Sequence, residues 1–287
     1  MFVYLFFRVQ VFIFRLLPYA VIYGLSDFLW FLLYIVIGYR RKVVESNLVR
    51  SFPGMSSKER RKVTRRFYRN LTDLLVESIK GFSMSEKQIK KRFVVKNADV
   101  FEPYIARKKS VIAVTAHTGN WEWGILSAPF YTKMVSVGLY KPLANKRLDS
   151  YLKRNRCRTG SNLTSIYLTA ISFERYMNES SLIMMVADQS PSNIRKSFWV
   201  NFLGNDTACL HGPEKYAKIY DLPVFYFNVH RFKRGHYEVE FFPISENPRA
   251  ETDGAITAAY MVKLEEYIRK NPSNWLWSHR RWKHTRK

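Results

Sequence analysis

Acid is the first shortage. Only 23 Asp and Glu stand against 47 Lys and Arg in 287 residues, a formal charge of +24. That imbalance says little about fold and more about partners: nucleic acid, anionic lipid headgroups or an acidic carrier. Cysteine is scarce too. Cys157 and Cys209 stand without CxxC or zinc-type spacing, which excludes a disulfide framework and makes a reducing compartment the simpler expectation. The chain has no GxSxG turn, so a serine nucleophile on a strand–turn–helix is not expected. His117, His211, His230, His236, His279 and His284 are scattered with no HxxxH pair, so neither a metal nor another cofactor is expected. Internal repeats, low-complexity tracts, interdomain linkers and recognised nucleic-acid modules are also missing. What is plentiful is aromatic character, at 16%, too much for a disordered chain.

The apolar residues are unevenly placed. Residues 1–39 carry only Arg8, Arg15 and Asp27 as charges. The run from Leu16 to Gly38 is long enough to cross a bilayer core, for which about 20 apolar residues suffice. Pro18 interrupts it and Asp27 is costly inside hydrocarbon. No small-residue cleavage site follows, so the segment is expected to stay as an anchor, spanning or interfacial. Residues 40–66 then hold ten basic side chains against Glu45 and Glu59. Positive charge beside an apolar segment predicts a cytoplasmic main domain in contact with an anionic membrane surface. The expected division is an anchor at 1–39 and a catalytic-sized domain at 40–287.

Beyond the anchor, Ser56 and Glu59 match a capping box. Val63, Phe67, Leu71, Leu74 and Leu75 recur at helical spacing, an apolar face expected to pack into the core, and Gly81 is the expected stop. From residue 93, apolar runs alternate with helix-like stretches. "FVV", "VIAVT", "MVSVG", "LIMMV", "VFYFNV" and "YEVEFF" read as strands. Helices are expected near 121–130, 145–158, 166–178, 211–220 and 255–270. "NVHRFKRGHYEVEFF" reads as a hairpin across "KRG". The fold class is therefore α/β: a mixed, largely parallel central sheet flanked by helices, behind an N-terminal membrane-anchoring helical segment.

The chemistry gathers in "VIAVTAHTGNWEWG", residues 111–124. His117 lies just past the carboxyl end of an expected strand, where open α/β sheets place functional groups. Gly119 permits a tight turn and Asn120 can cap a following helix. Glu122 would sit in that helix's first turn, where the turn can return it to the imidazole. A carboxylate on one ring nitrogen leaves the other free as a base. With no protein nucleophile evident, the attacking hydroxyl is assigned to the substrate.

"HTGNWE" resembles the signature block of the late lipid A acyltransferases, the lauroyl- and myristoyl-transferase family within the lysophospholipid acyltransferase group. In that group a histidine is followed after four residues by Asp or Glu. "YKPLANKRLDSYLKRNRCRTG", "LIMMVADQSP", "FWVNFLGNDTACLHGPEKYAK" and "NPSNWLWSHRRWK" resemble further family blocks, in order and over nearly the whole chain. "WVNFLG" departs from the family's usual Pro and two Phe, which bears on the acyl pocket and its chain length.

The resemblance implies transfer of a fatty acyl group from an acyl carrier protein thioester to a hydroxyl of a lipid A precursor, at the bacterial inner (cytoplasmic) membrane. His117 and Glu122 are the implied catalytic pair. Arg156, favoured four residues before Gly160, and Arg158 are alternative matches to the family's arginine. Asp188 and Gln189 end their strand as His117 ends its own, and with Asn120 complete the expected substrate contacts on that side. Arg280 and Arg281 are candidates for acceptor phosphate or membrane, and Trp275, Trp277 and Trp282 for an interfacial belt. Two rival readings remain: the same chemistry on a lysophospholipid, glycolipid or aminoacyl lipid, and a non-enzymatic polybasic binder of membrane or nucleic acid. The missing nucleic-acid module argues against a nucleic-acid partner.

Overall fold

Pro18 divides the apolar N-terminal stretch. Helix α1 (Phe2–Leu16) ends before it, and α2 (Tyr19–Trp30) follows and runs on as a π-helical turn over Phe31–Val36. Proline brings no amide donor and is tolerated only where a helix starts. These elements come from a computed structural model that describes residues 1–195 and 197–286. Tyr19–Val36 is the one helical stretch among the described residues long and apolar enough to cross a membrane.

That stretch has a polar stripe turned inward onto the basic region. Helix α3 (Arg41–Ser51) leads to α4 (Ser57–Lys80), which opens with the expected Ser56–Glu59 capping box. Tyr23 donates to Glu77 Oε1 at 2.9 Å, and Ser26 donates to Asp73 Oδ1 at 2.6 Å. Asp27 accepts from Arg234 at 2.8 Å. The carboxylate that is expensive in an isolated apolar helix is thus paired. Lys80 Nζ donates to the carbonyls of Phe14, Arg15 and Leu17 at 2.8, 3.3 and 2.9 Å, placing a cation on the negative end of α1.

Gly81 is the expected stop of α4, capping it with right-handed backbone before a 3-10 turn through Ser83. What Gly81 provides is room, since a Cβ there would meet Trp123 Nε1 at 3.0 Å. Leu75, expected in the core, is 45% exposed and lines a cavity described below.

Then come α5 (Glu86–Arg92), β1 (Phe93–Val95), α6 (Glu102–Ala106), β2 (Val111–Thr115), α7 (Trp121–Ser127), β3 (Val135–Tyr140), α8 (Lys146–Cys157) and β4 (Asn162–Ser165). Helix α9 (Thr169–Tyr176), β5 (Ser181–Val186), the hairpin β6 (Phe198–Phe202) and β7 (Asn205–Cys209), and α10 (Gly212–Tyr220) follow. Strands β8 (Val224–Lys233) and β9 (His236–Ser245), then α11 (Ala255–Lys270), complete the regular structure. Seven strands form one sheet in the order β1-β9-β8-β2-β5-β3-β4, and β6-β7 stand apart. All pairings in the large sheet are parallel except β8 with β9. That antiparallel pair is the expected hairpin, turning between Lys233 and His236.

Strand β2 is central and buried along its whole length. Val111 and Ala113 face the core built with α5, α6 and α7, while Ile112 and Val114 face the core built with α4, α9, α10 and α11. A parallel strand covered on both faces reads as a continuous apolar run. The strands not anticipated are β4, β6 and β7. "NLTS" is short, polar and at the sheet edge, and the hairpin lies outside the main sheet, so neither carries that signature.

The join between α2, α4 and the β8–β9 hairpin centres on Asp73, 1% exposed. It accepts from Ser26, from Arg231 at 2.5 Å and from Arg234 at 2.7 Å. Removing one partner of a buried pair strands the other charges, at a cost of about 3–5 kcal/mol. Asp73→Ala is therefore expected to lower stability by roughly that amount, measured by denaturant unfolding in detergent. An unchanged midpoint would show that the join does not depend on this carboxylate.

Candidate active site

Parallel register builds the site. Strand β2 pairs with β5 so that Thr115 stands opposite Val186, and Ala187 N–H extends the ladder to Thr115 O at 3.0 Å. Two residues past each strand, His117 and Asp188 therefore arrive level. His117 Nδ1 lies 2.6 Å from Asp188 Oδ1, and the His117 amide donates to Asp188 Oδ2 at 3.0 Å. Trp275 Nε1–H donates to the same Oδ2 at 2.7 Å. With donors on both oxygens, the carboxylate favours the tautomer with its proton on Nδ1.

This differs from the expected carboxylate on His117. Glu122 does sit in the first turn of α7, but it is bound by Arg156. Arg156 Nε reaches Oε2 at 3.0 Å and Nη2 reaches Oε1 and Oε2 at 2.8 and 2.7 Å. The guanidinium from the last turn of α8 gives Glu122 a planar fork, while Asp188 reaches the ring by strand register. Glu122 still acts on His117 through its charge. Burial alone would push the imidazole pKa down; Asp188's charge and hydrogen bond, then Glu122's charge, offset this and leave it raised. Asp188 meets the reverse balance. Burial would raise it, but His117 and the Trp275 hydrogen bond bring it down to about 2.

The other ring nitrogen, Nε2, has Gln189 Nε2 at 3.2 Å. Trp121 packs edge-on against the imidazole, its ring centroid 4.8 Å away. The His117 side chain keeps 18% exposure. An apolar-walled cavity of about 430 Å³ opens beside Gln189, between Leu33 and Tyr39 of the N-terminal segment and Leu71, Leu75, Leu276 and His279. His279 is pushed down to about 4, chiefly by burial against the opposing pull of Asp188, with Arg281 adding to the fall. It therefore offers that cavity a neutral ring near pH 7.

Gly119 holds the turn in place. Its φ is +53°, and a Cβ would come within 2.5 Å of Val229 O, so both conformation and space demand glycine. Its amide donates to Asn274 O at 3.2 Å. Asn120 caps α7 by accepting from Trp123 N–H at 3.2 Å and donates to Glu77 Oε2 at 2.8 Å. It is fully buried and braces the loop.

The remaining expected residues separate. Arg158 donates to the carbonyls of Gly81 and Met84 at 2.9 and 2.8 Å, bracing the α4–α5 connection away from Glu122. Arg281 is 2% exposed and donates to Ala208 O at 2.7 Å, so its guanidinium closes the C-terminal segment onto β7. Arg280 is exposed. Trp275 and Trp277 are buried, and Trp282 donates to Thr207 Oγ1 at 2.7 Å. These tryptophans pack the interior and do not form a belt. Lys287, the end of the basic tail, lies outside the described residues. Trp275 as a partner of Asp188, and Glu77 as the support of Asn120, were not anticipated. Neither contact has a local sequence signal, because |i−j| is 87 for one and 43 for the other.

Residues 1–284 match the family described as bacterial lipid A biosynthesis acyltransferase. The chain belongs to this family. This acyltransferase is 24% identical over 269 residues to the lipid A biosynthesis lauroyltransferase of Escherichia coli (strain K12), covering 93% of the chain and 87% of that relative. It is also 24% identical over 251 residues to the lipid A biosynthesis palmitoleoyltransferase of the same strain and to a lipid A biosynthesis acyltransferase of Shigella flexneri. Each of these alignments covers 85% of the chain and 79% of the relative. The acyltransferase is an enzyme that moves acyl groups in lipid A biosynthesis.

If Asp188 is what raises His117, the imidazole titrates above its ordinary value of about 6.5. In Asp188→Asn the burial remains and the charge is gone, so the midpoint falls below that value. Side-chain nitrogen NMR of His117 across pH 4–9 reads both. Equal midpoints in the two proteins would remove Asp188 as the cause.

Proposed function

We propose that this acyltransferase moves a fatty acyl chain from an acyl carrier protein thioester to a hydroxyl of a lipid A precursor, with His117 as general base. One observation carries the reading: Asp188 on Nδ1 leaves Nε2 as the lone-pair nitrogen, facing Gln189, which lines an apolar-walled cavity. The acceptor hydroxyl gives its proton to Nε2 as its oxygen attacks the thioester carbonyl. The tetrahedral intermediate then expels the carrier thiolate, which takes the proton back from the imidazolium. Asp188 stabilises that imidazolium and holds the ring. Gln189 rests where the acceptor would arrive, and its amide N–H can turn to the oxyanion. Glu122 fixes Arg156, whose Nη1 is left uncommitted by that carboxylate and free for the thioester oxygen or the donor. The raised pKa of His117 sets the sign of the pH dependence: the base works deprotonated, so the rate falls as pH drops through a value above about 6.5.

The domain reading is an N-terminal anchor over residues 1–39 and a catalytic domain over 40–287. The support is the outward face of α1 and α2, with Phe2 91%, Leu16 68% and Phe28 58% exposed, while the polar side chains of α2 face α4 and the hairpin. An amphipathic layer docked this way suits the bilayer interface, with its apolar side in the acyl region. The basic stretch after it favours the anionic cytoplasmic leaflet of the bacterial inner membrane. An acidic carrier protein suits the same positive field, which raises encounter rate more than affinity.

His117→Ala is expected to reduce transfer by about 10²–10⁴-fold or more, and Asp188→Asn by a similar factor through loss of the tautomer and the imidazolium partner. The assay loads acyl carrier protein with several chain lengths, supplies an under-acylated lipid A precursor, and follows the gain of one acyl mass. Undiminished transfer by His117→Ala would end the base assignment. Absence of transfer by wild type, with a different lipid losing an acyl chain in deletion cells, would replace the acceptor.

A further inference from the structure

Positive charge collects in a second cavity that the acyl-transfer steps do not use. It encloses about 460 Å³ between α4, the β8–β9 turn and the segment after α11. Arg66 and Arg69 reach it from α4, Lys233 from the end of β8 and Lys270 from the end of α11. All four are exposed, and none has a carboxylate partner among the described residues. Arg69 lies over the Trp30 ring at 4.9 Å. The acids on the cavity wall are already committed, Asp73 to Arg231 and Arg234, and Asp27 to Arg234.

Four cations without a carboxylate partner around one concavity focus a positive potential that a diffuse surface would not. Their mutual repulsion is relieved best by a multiply charged anion. Arginine forks match tetrahedral oxyanions two oxygens at a time, and lysines add point charges. A single carboxylate would leave most of the charge unmatched. Position adds a second observation. Asn70, Ser273 and Asn274 line this cavity and also the narrow cleft that holds His117 and Trp121. Asn70 is locked there, donating to Ser273 O at 2.9 Å and accepting from Arg231 at 2.6 Å. One layer of residues separates the cations from the imidazole.

We propose that this cavity is a phosphate-binding site, in which Arg66, Arg69, Lys233 and Lys270 hold a phosphate monoester. A hydroxyl elsewhere on the same molecule then reaches His117. This deepens the lipid A reading and rests on it for the glycolipid acceptor; phosphate recognition itself follows from the cavity. It also replaces Arg281, which is buried on β7 and cannot meet a headgroup.

Binding is measured by calorimetry on the full chain in detergent micelles, with no acyl donor. The probes are a phosphorylated glucosamine-disaccharide lipid, the same lipid after phosphatase treatment, and inorganic phosphate. Wild type is expected to prefer the phosphorylated lipid by on the order of tenfold or more, as charge-assisted contacts imply. Arg66→Gln/Lys270→Gln should erase that preference, and Lys87→Gln/Lys91→Gln on α5 should keep it. If inorganic phosphate binds wild type as tightly as the lipid, and the cavity variant alone loses it, the site stands and its ligand is the free anion. Equal weakening in both double variants would reduce the effect to general surface charge and overturn the site. No preference in wild type would overturn it as well. His117→Ala should bind with the preference intact, so transfer lost with binding preserved concerns the catalytic reading, and binding lost concerns the cavity.

Discussion

The in-register parallel pairing of β2 with β5 is the constraint on which the site depends. Because Thr115 stands opposite Val186, the next residues leave the sheet side by side, and His117 and Asp188 meet without any help from the intervening loop. A slip of one residue would turn every side chain of β2 to the other face. It would expose Ile112 and Val114 to the wrong core and separate the imidazole from its carboxylate. Burial of β2 on both faces therefore specifies the chemistry as well as the fold. Trp275 closes the arrangement from the far end of the chain, and the short bridge between Thr118 and Trp275 aligns its indole with Asp188.

A second layer of order comes from α4. Glu77, fully buried, accepts from Tyr23 of α2, Tyr237 of β9 and Asn120 of the His117 loop. Burial raises its pKa, with the Tyr237 hydrogen bond and Arg231 opposing. A buried polar group is tolerable only when its partners are in place, and here they belong to three separate parts of the molecule. One turn earlier, Asp73 joins α2 to the hairpin arginines. The apolar N-terminal helices and the His117 loop thus rest on the same helix, and displacement of α2 would leave Glu77 short of a donor. The apolar segment is part of the structural support of the site, beyond any role in holding a membrane.

Much of this was legible in the sequence, and the misses have physical causes. The capping box at Ser56, the buried strands, the β8–β9 hairpin and the position of His117 at a strand end all follow from local rules of period, turn and cap. Gly119 and Asn120 were likewise readable as turn and cap. The carboxylate partner of His117 was not. Glu122 is five residues away along the chain, which favoured it in a linear reading, whereas Asp188 is adjacent only once two parallel strands are in register. Spacing before Gly160 favoured Arg156 over Arg158 without deciding between them; the structure puts Arg156 on Glu122 and Arg158 on backbone carbonyls. The tryptophans of the last block looked like an interfacial belt because their composition fits one. Their burial draws on β6 and β7, elements distant in the sequence.

The charge of the chain divides along the same line. Arg158, Arg231 and Arg281 are staples, their guanidinium groups consumed by carbonyls and buried acids, and they contribute nothing to a surface field. Arg41, Arg65 and Arg69 lie over the faces of Tyr34 and Trp30, where an aromatic ring takes part of the place of water. Arg66, Lys233 and Lys270 have neither a carboxylate nor a ring partner among the described residues, and they line one cavity between α4 and the hairpin, the elements on which α2 packs. An apolar layer alone would accept any hydrocarbon surface, and a basic layer alone would accept any polyanion. On the proposed reading, their juxtaposition, one wall away from His117, would favour amphiphiles that carry negative charge at the headgroup. Asp27 makes the arrangement self-consistent. In a free span it would be a liability, but paired with Arg234 it helps hold α2 against the domain, even with its own side chain 53% exposed.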